Sequence, residues 1–134
     1  MRLTLLSACL AAGIAVPGNV SAEELAKPKL VLQEKVEGMP TAKSQEVRVF
    51  TATFKPGSQT PLHTHRFPVT VYILEGALTF EMEGHDAKVV KAGESMVEPP
   101  GTKMTGNNKG KEPSKAVIFY VSDPDTPFLD PASK

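Results

Sequence analysis

The sequence is poor in several residue types, and each shortage excludes a class of protein. Cysteine occurs once among the 134 residues, as Cys9, and tryptophan is absent. A single cysteine excludes an intramolecular disulfide and a zinc site built from several thiolates. Lysine plus arginine and aspartate plus glutamate both number 15, so the chain has no basic excess. Because nucleic-acid binding relies on cations that neutralise phosphates, we expect no nucleic-acid partner.

Apolar runs of bilayer-spanning length are also missing, and the one apolar stretch lies near the start. Residues 3–16 follow Arg2, and small residues lead to Ala22 just before the first acid, Glu23. This order is typical of a secretory signal peptide. We expect cleavage after Ala22 and a periplasmic or secreted mature chain without a membrane span. The alternative is a lipobox that ends at Cys9, although only eight residues would precede the acylated cysteine.

Turn-forming residues, in contrast, are abundant. Twelve prolines and ten glycines are spread along the chain without a period, which indicates many turns and no long helices. The segments between these turns alternate in polarity with a period of two, or are short and β-branched. They predict strands at 30–36, 46–54, 69–74, 77–83, 87–90, 95–98, 102–105 and 116–121.

Eight or nine short strands in one small domain predict a barrel or a sandwich. The expected organisation has four parts: a signal peptide (1–22), an N-terminal lead with a first strand (23–46), the barrel (47–122) and a proline-containing tail (123–134). Cleavage would remove the cysteine, so the mature chain would have neither a thiolate metal site nor a cysteine nucleophile.

The region from Val47 to Val121 resembles the cupin superfamily in two spaced motifs. The first motif of that family is a Gly, five residues, His-x-His, three or four residues, a Glu, six residues and a Gly. Here Gly57, His63, His65 and Gly76 stand at matching distances.

The second family motif is a Gly, five residues, Pro-x-Gly, two residues, a His, three residues and an Asn. Gly93, Pro99, Gly101 and Asn108 match it. The resemblance implies an all-β, single-domain double-stranded β-helix, the cupin or jelly-roll barrel, whose mouth holds a metal ion or a small-molecule ligand. Together with the small core, it also indicates a homodimer that covers exposed sheet edges.

Two positions depart from the family pattern. Val69 stands where the family has its metal-binding Glu, and Met104 stands where it has its third His. Only His63 and His65 remain of the family's usual three histidines and one glutamate. The usual dioxygenase or isomerase chemistry is therefore not transferred to this chain outright.

The two remaining histidines are candidate ligands of one metal ion. His63 and His65 are two residues apart, so on a strand their rings point to the same face, with Cα atoms about 6.5–7 Å apart. With Met104 they form the expected ligand set for a single transition-metal ion: copper, iron, manganese, nickel or zinc. A thioether favours Cu(I). The alternative is that the histidines hydrogen-bond a ligand and that Met104 fills the core.

The other polar candidates are expected outside the site. Glu81 points to the face of its strand opposite to that of Leu78, Phe80 and Met82, so we expect no carboxylate inside the barrel. Thr70 likewise points to the face opposite to that of Val69 and is not expected to serve as a ligand. His85 lies in a predicted hairpin turn and is expected to be exposed. Tyr72 and Tyr120 lie on predicted strands and are expected to pack rather than to act as acids.

Three functions are consistent with these observations. The first is an exported monocupin that binds a small molecule, a metal ion or both through His63 and His65, without catalysis or with weak catalysis. The second is a metal-dependent cupin oxygenase, isomerase or lyase acting on a small carbonyl or phenolic compound. The third is a periplasmic copper-binding protein with a site made of His63, His65 and Met104. The absence of an expected inward carboxylate favours binding over catalysis.

Overall fold

The computed structural model describes residues 26–133, which form two facing antiparallel sheets. The strands are β1 (Glu46–Phe54), β2 (His63–Thr64), β3 (Val69–Glu75), β4 (Ala77–Met82), β5 (Lys88–Lys91), β6 (Ser95–Glu98), β7 (Met104–Asn107), β8 (Ser114–Ser122) and β9 (Asp130–Pro131). One sheet has the order β1-β8-β3-β6 and the other β5-β4-β7-β2-β9. The predicted all-β class is confirmed.

Helices are absent from residues 26–133. This part of the chain accordingly contains no helix of the length and apolarity needed to cross a membrane.

Alternation along the strands decides which side chains enter the space between the sheets. On β3, Val69, Val71 and Ile73 are buried, and on β4 Leu78 and Phe80 are buried. Successive side chains of a strand point to opposite faces, so the period of two seen in the sequence becomes one buried face. The interior is apolar, as the sequence predicted around Val69. The buried hydrophobic core consists of Val69, Val71, Ile73, Leu78, Phe80, Val90, Met96, Met104, Ala116 and Tyr120.

The prediction of a strand at 30–36 is wrong. No residue between 26 and 45 belongs to a strand, and Leu30 is 72% exposed. An apolar sequence forms a strand only where a neighbouring strand offers hydrogen bonds, and this segment pairs with none of the nine strands. Leu32 and Val36 instead lie beside Phe119 and Val121, on the outer face of the four-stranded sheet.

Two further outcomes concern the ends of the chain and of one strand. The signal peptide, its cleavage site and the lipobox all lie outside the described residues. The strand predicted at 102–105 is present, but it is shifted to Met104–Asn107. A turn at Pro100 and Gly101, in which Gly101 has a φ of 72°, precedes it. That turn is anchored to the site, since Gly101 N donates to His65 O at 2.8 Å.

Candidate metal centre

His63 and His65 face the interior of the barrel and lie against each other. Both are buried, with 5% and 2% of their surface exposed. Their Nε2 atoms are 3.1 Å apart, and the two rings meet edge to face with centroids 4.7 Å apart. The spacing of two residues therefore brings both imidazoles to one point, as expected of a strand.

The remaining ring nitrogens determine where the protons are. His63 Nδ1 lies 2.7 Å from the carbonyl oxygen of Pro61, and His65 Nδ1 lies 2.5 Å from that of Phe128. A carbonyl oxygen only accepts hydrogen bonds, so both Nδ1 atoms must carry a proton. In the neutral rings each Nε2 then presents a lone pair, and the two lone pairs face each other.

Glu98 adds a carboxylate to the same point. Its Oε2 atom lies 3.0 Å from His65 Nε2, and its side chain is only 8% exposed. The ligand atoms of His63, His65 and Glu98 all lie within 4.8 Å of one another. Three electron-pair donors, one of them a carboxylate, are thus held together in a buried site, an arrangement that a cation between them would stabilise.

This donor set fits a metal ion. Two imidazoles and one carboxylate ligate iron in oxygenases of the facial-triad type and zinc in several hydrolases. In such sites the second ring nitrogen of each histidine usually donates to a carbonyl or a carboxylate, which fixes the ring and its tautomer. His63 and His65 both have this partner. The residues present could therefore hold one ion, although the donor set alone leaves its identity open.

The prediction that no carboxylate faces the interior is wrong because of Glu98. Met96 and Glu98 are the two buried residues of β6, and Glu98 lies directly across from Val69 in the register of β3 and β6. The acid therefore stands one strand away from the position where the family has its glutamate. The alternation of residues 95–98 was the signal: apolar Met96 faces inward, so Glu98 must do so too.

Met104 is the third residue that the sequence predicted as a metal ligand. It is 1% exposed and lies directly across from His63 in the register of β2 and β7. Its other cross-strand neighbour is Met82, on β4. Cross-strand neighbours have Cβ atoms about 4.5–5.5 Å apart, so Met104 adjoins His63 within the packed core.

The remaining candidates lie where the sequence placed them. Glu81 is exposed and forms an ion pair with Lys109, and His85 is exposed in the turn between β4 and β5. Tyr120 is fully buried and packs its ring 5.9 Å from that of His65. Burial raises the pKa of Tyr120, although neighbouring backbone groups and Arg48 partly oppose the rise. A neutral, buried tyrosine forms a wall behind His65 and is consistent with the predicted packing role.

A small cavity opens directly onto the three donor atoms. Its volume is about 80 Å³, and since a water molecule takes up about 30 Å³ in the liquid, the cavity is small. Apart from the three donors the walls are almost entirely apolar. The lining residues include Phe54, Pro61, Val71, Leu78, Phe80, Ile118, Phe128 and Leu129. A ligand that enters this space meets one polar point in an apolar chamber.

A two-sheet β-barrel of this kind belongs to a recognisable class, the double-stranded β-helix proteins, and in this chain two histidines and a carboxylate that could bind a metal ion converge in its interior. The family model described as "Cupin domain" matches residues 50–120. That range is more than half of the chain, so the chain belongs to the cupin family. The predicted superfamily membership is confirmed.

Solved structures agree on the fold. A double-stranded β-helix protein from Klebsiella pneumoniae is 21% identical with a TM-score of 0.58, over 75% of this chain and 90% of that chain. A cupin-like protein from Thermotoga maritima is 19% identical with a TM-score of 0.55, over 66% and 65%. A DMSP lyase from Ruegeria pomeroyi is 22% identical with a TM-score of 0.58, over 64% and 43%. At these identities the likeness establishes the fold and no activity.

The matching region also has limits. This chain spans less than half the length of the Ruegeria DMSP lyase and of a second DMSP lyase structure, at 43% and 44%. No curated protein sequence matches the chain significantly.

Proposed function

We propose that the protein is a metal-dependent cupin in which His63, His65 and Glu98 hold one divalent transition-metal ion, and in which a small ligand binds that ion inside the apolar cavity. The observation that carries this proposal is the convergence of three lone-pair donors with both Nδ1 protons already engaged elsewhere.

A metal ion satisfies this arrangement better than a proton does. A proton on His65 Nε2 would lie between His63 Nε2 at 3.1 Å and Glu98 Oε2 at 3.0 Å. It could be directed well at only one of these atoms, because hydrogen bonds weaken steeply away from linearity. A divalent cation accepts all three lone pairs at once and neutralises the buried carboxylate.

Catalysis is the second candidate, and Glu98 is the observation that favours it. The sequence argued for binding without turnover because no carboxylate was expected in the barrel. Three protein ligands leave coordination positions open, as in catalytic metal sites. When bound, the ion would supply Lewis-acid activation of a ligand held beside it. The volume of the cavity restricts a substrate to a small molecule, or to one small group of a larger one.

The copper alternative rests on Met104. Its position across from His63 supports a soft donor beside the two imidazoles. Glu98 argues the other way, since a carboxylate is a hard ligand that suits iron, manganese or zinc better than Cu(I). We therefore place Met104 in the packing around the site and His63, His65 and Glu98 in the ligand set.

The test is metal binding by the full-length protein after treatment with a chelator. We expect one Co(II) ion per chain, seen as d–d absorption bands, and loss of those bands in His63→Ala and in Glu98→Gln. His85→Ala is the matched control, because this histidine is exposed in the turn between β4 and β5 and is not one of the three grouped donors, so its loss should change nothing. Absence of Co(II), Zn(II) and Fe(II) binding by the wild type would overturn the proposal.

The same preparations separate the copper alternative. Met104→Leu keeps the volume of the core and removes the thioether. If the wild type binds Cu(I) in preference to Co(II), and Met104→Leu abolishes that binding, the ligand set is His63, His65 and Met104. We expect Met104→Leu to bind Co(II) like the wild type.

Export remains a proposal of its own, supported by the sequence of residues 1–22. N-terminal sequencing of the protein recovered from a secreting host is expected to begin at Glu23. An N-terminus at Met1, or a lipid-modified Cys9, would contradict cleavage after Ala22.

A homodimer is likewise proposed. Support comes from β1, which has one unpaired edge in its sheet and exposes Val47 and Val49 on its outer face, next to exposed Phe119 on β8. Light scattering after size-exclusion chromatography should give twice the mass of the chain, and Val49→Glu should give a monomer.

A further inference from the structure

The C-terminal strap, which we define as residues 126–132, crosses the barrel next to the histidines. Within it, β9 pairs with β2, placing Asp130 across from Thr64, and Ala132 N donates to Leu62 O at 3.0 Å. Two hydrogen bonds from Arg66 to the carboxylate of Asp130, at 2.8 and 3.0 Å, hold the strap at the surface. The strap thus lies along the same strand that carries His63.

Phe128 is the part of the strap that reaches the site. Its carbonyl oxygen accepts the hydrogen bond of His65 Nδ1, and its ring lines the small cavity. The ring packs against those of Phe50, His65 and Tyr120, with centroid distances of 4.5, 4.9 and 5.5 Å. One residue therefore contacts a candidate ligand through its backbone and encloses the ligand space with its side chain.

We propose that the C-terminal strap is a working part of the metal centre, in which Phe128 is a positioning residue: its carbonyl selects the metal-ligating tautomer of His65, and its ring limits the size of the ligand. The inference rests on the proposed metal function for its consequence, but the choice of tautomer belongs to the metal-free protein as well.

The geometry explains why a partner at Nδ1 is needed. Without the Phe128 carbonyl, His65 could move its proton to Nε2 and donate it to Glu98 Oε2, which is already 3.0 Å away. That arrangement satisfies the imidazole and the carboxylate together, so a metal would have to displace the proton first. The strap opposes this by placing an acceptor for the proton 2.5 Å from Nδ1, on the opposite side of the ring.

His63 provides an internal control. Its Nδ1 partner is the carbonyl oxygen of Pro61, two residues away on the same segment and not part of the strap. A perturbation of the strap should therefore change the tautomer of His65 and leave that of His63 unchanged. A general loosening of the barrel would affect both rings.

The ring of Phe128 attaches the middle of the strap to the core, whereas the start of the strap is held by a hydrogen bond from Arg48 Nη2 to Thr126 O at 2.7 Å. The Arg66–Asp130 pair is exposed, and exposed ion pairs contribute little to stability because water and salt screen them. β9 is only two residues long. The ring of Phe128 is partly buried and packs against the hydrophobic core and against His65. Removing the ring should therefore free the carbonyl as well as enlarge the cavity.

Two full-length variants separate the carbonyl from the ring. In the first, Leu129 is replaced by its α-hydroxy acid, which turns the 128–129 peptide into an ester and weakens the Phe128 carbonyl as an acceptor while retaining every side chain. In the second, Phe128→Ala removes the ring. Phe119→Ala is the matched control, since Phe119 is 44% exposed on the outer face of β8.

The first readout is the tautomer of each histidine, from long-range ¹H–¹⁵N spectra of the metal-free, ¹⁵N-histidine-labelled protein. We expect Nδ1–H for His63 and His65 in the wild type and in Phe119→Ala. In the ester variant and in Phe128→Ala, His65 should shift toward Nε2–H while His63 does not. If His65 keeps the wild-type tautomer in both variants, the strap does not position it and the proposal is wrong.

The second readout is Co(II) affinity. Loss of an outer hydrogen-bond partner of a ligating histidine typically weakens metal binding about 10–100-fold, and we expect about tenfold for the ester variant. If the wild type binds Co(II) and both variants bind it with unchanged affinity, the proposed role of the strap is wrong and the proposed function remains intact. No binding by the wild type overturns the proposed function, while the spectra still decide whether Phe128 sets the tautomer. If Phe128→Ala does not fold, the ester variant decides alone.

The role of the ring is tested with azide and phenol as probes of the Co(II) form. Azide should perturb the absorption bands of the wild type and of Phe128→Ala, whereas phenol should do so only in Phe128→Ala. A wild-type protein that binds phenol as well as the variant does would show that the ring does not limit ligand size.

Discussion

The position of the carboxylate can be tested by moving it across the sheet. Glu98 and Val69 are register partners on β6 and β3 and share one buried face. Directly opposed residues have Cβ atoms about 4.5–5.5 Å apart, which is within the reach of a glutamate side chain. We predict that Glu98→Val abolishes tight metal binding and that adding Val69→Glu restores it.

The expected magnitudes follow from the site. At a metal concentration of 100 times Kd, binding stabilises the folded wild type by about 2.7 kcal/mol. If loss of the carboxylate raises Kd at least 100-fold, the same concentration stabilises Glu98→Val by about 0.4 kcal/mol or less. Without metal, the change in unfolding free energy caused by Glu98→Val should have the opposite sign or be near zero. The substitution replaces a buried carboxylate with an apolar side chain, so the variant should be at least as stable as the wild type.

The assay is urea denaturation of the four proteins of the cycle, with and without Co(II). Val69→Glu alone puts a second carboxylate beside Glu98 and should destabilise the metal-free protein by several kcal/mol, because one acid must be protonated or remain unpaired. The two carboxylates of Val69→Glu already couple the two positions without metal, so a coupling energy that becomes larger when Co(II) is added would support the site. If the double variant binds Co(II) no better than Glu98→Val, the reasoning is refuted.

Three further predictions concern the scaffold. Phe80→Ala should destabilise the protein by about 3–5 kcal/mol in urea, since Phe80 is 3% exposed in the core; a loss below 1 kcal/mol would contradict that packing. Gly76→Ala should cost more than Gly84→Ala, because both residues have positive φ but only at Gly76 would a Cβ lie 2.5 Å from Ser114 Oγ; equal unfolding free energies would show that the contact relaxes. The hydrogen bond to Arg66 lowers the pKa of Asp130 in the folded protein. The pair therefore stabilises the fold at pH values above the unfolded-state pKa of Asp130, and this stabilisation is lost as the pH falls through the folded-state pKa. Asp130→Asn should remove that part of the acid dependence, and an unchanged pH profile of unfolding would argue against it.

Most strands could be predicted because alternation is a local property. In β1, Arg48, Phe50 and Ala52 alternate with exposed residues, as the sequence indicated. The segment 30–36 is comparably apolar, but it pairs with none of the nine strands, because pairing is decided by the rest of the fold. Residues 26–45 therefore lie outside the sheets for a reason that no window of sequence contains.

The candidate site likewise has parts that local sequence predicts and parts that depend on how the strands pair. His63 and His65 could be assigned to one face because they stand at positions i and i+2 of one extended segment, with only Thr64 between them. The inward direction of Glu98 was also readable from the alternation of β6, but its meeting with His65 was not. That meeting depends on the register that places Glu98 across from Val69.

By itself the sequence determined the all-β class, the buried face of each regular strand and the pairing of two imidazoles, because these depend on contacts between residues close in the chain. The tertiary structure alone decided which acid joins the two imidazoles and which ring nitrogen of each imidazole carries the proton. Glu98 reaches His65 from the facing sheet, and the carbonyl that accepts from His65 Nδ1 lies 63 residues away, at Phe128. Such contacts are set by how the sheets close on each other and where the end of the chain returns.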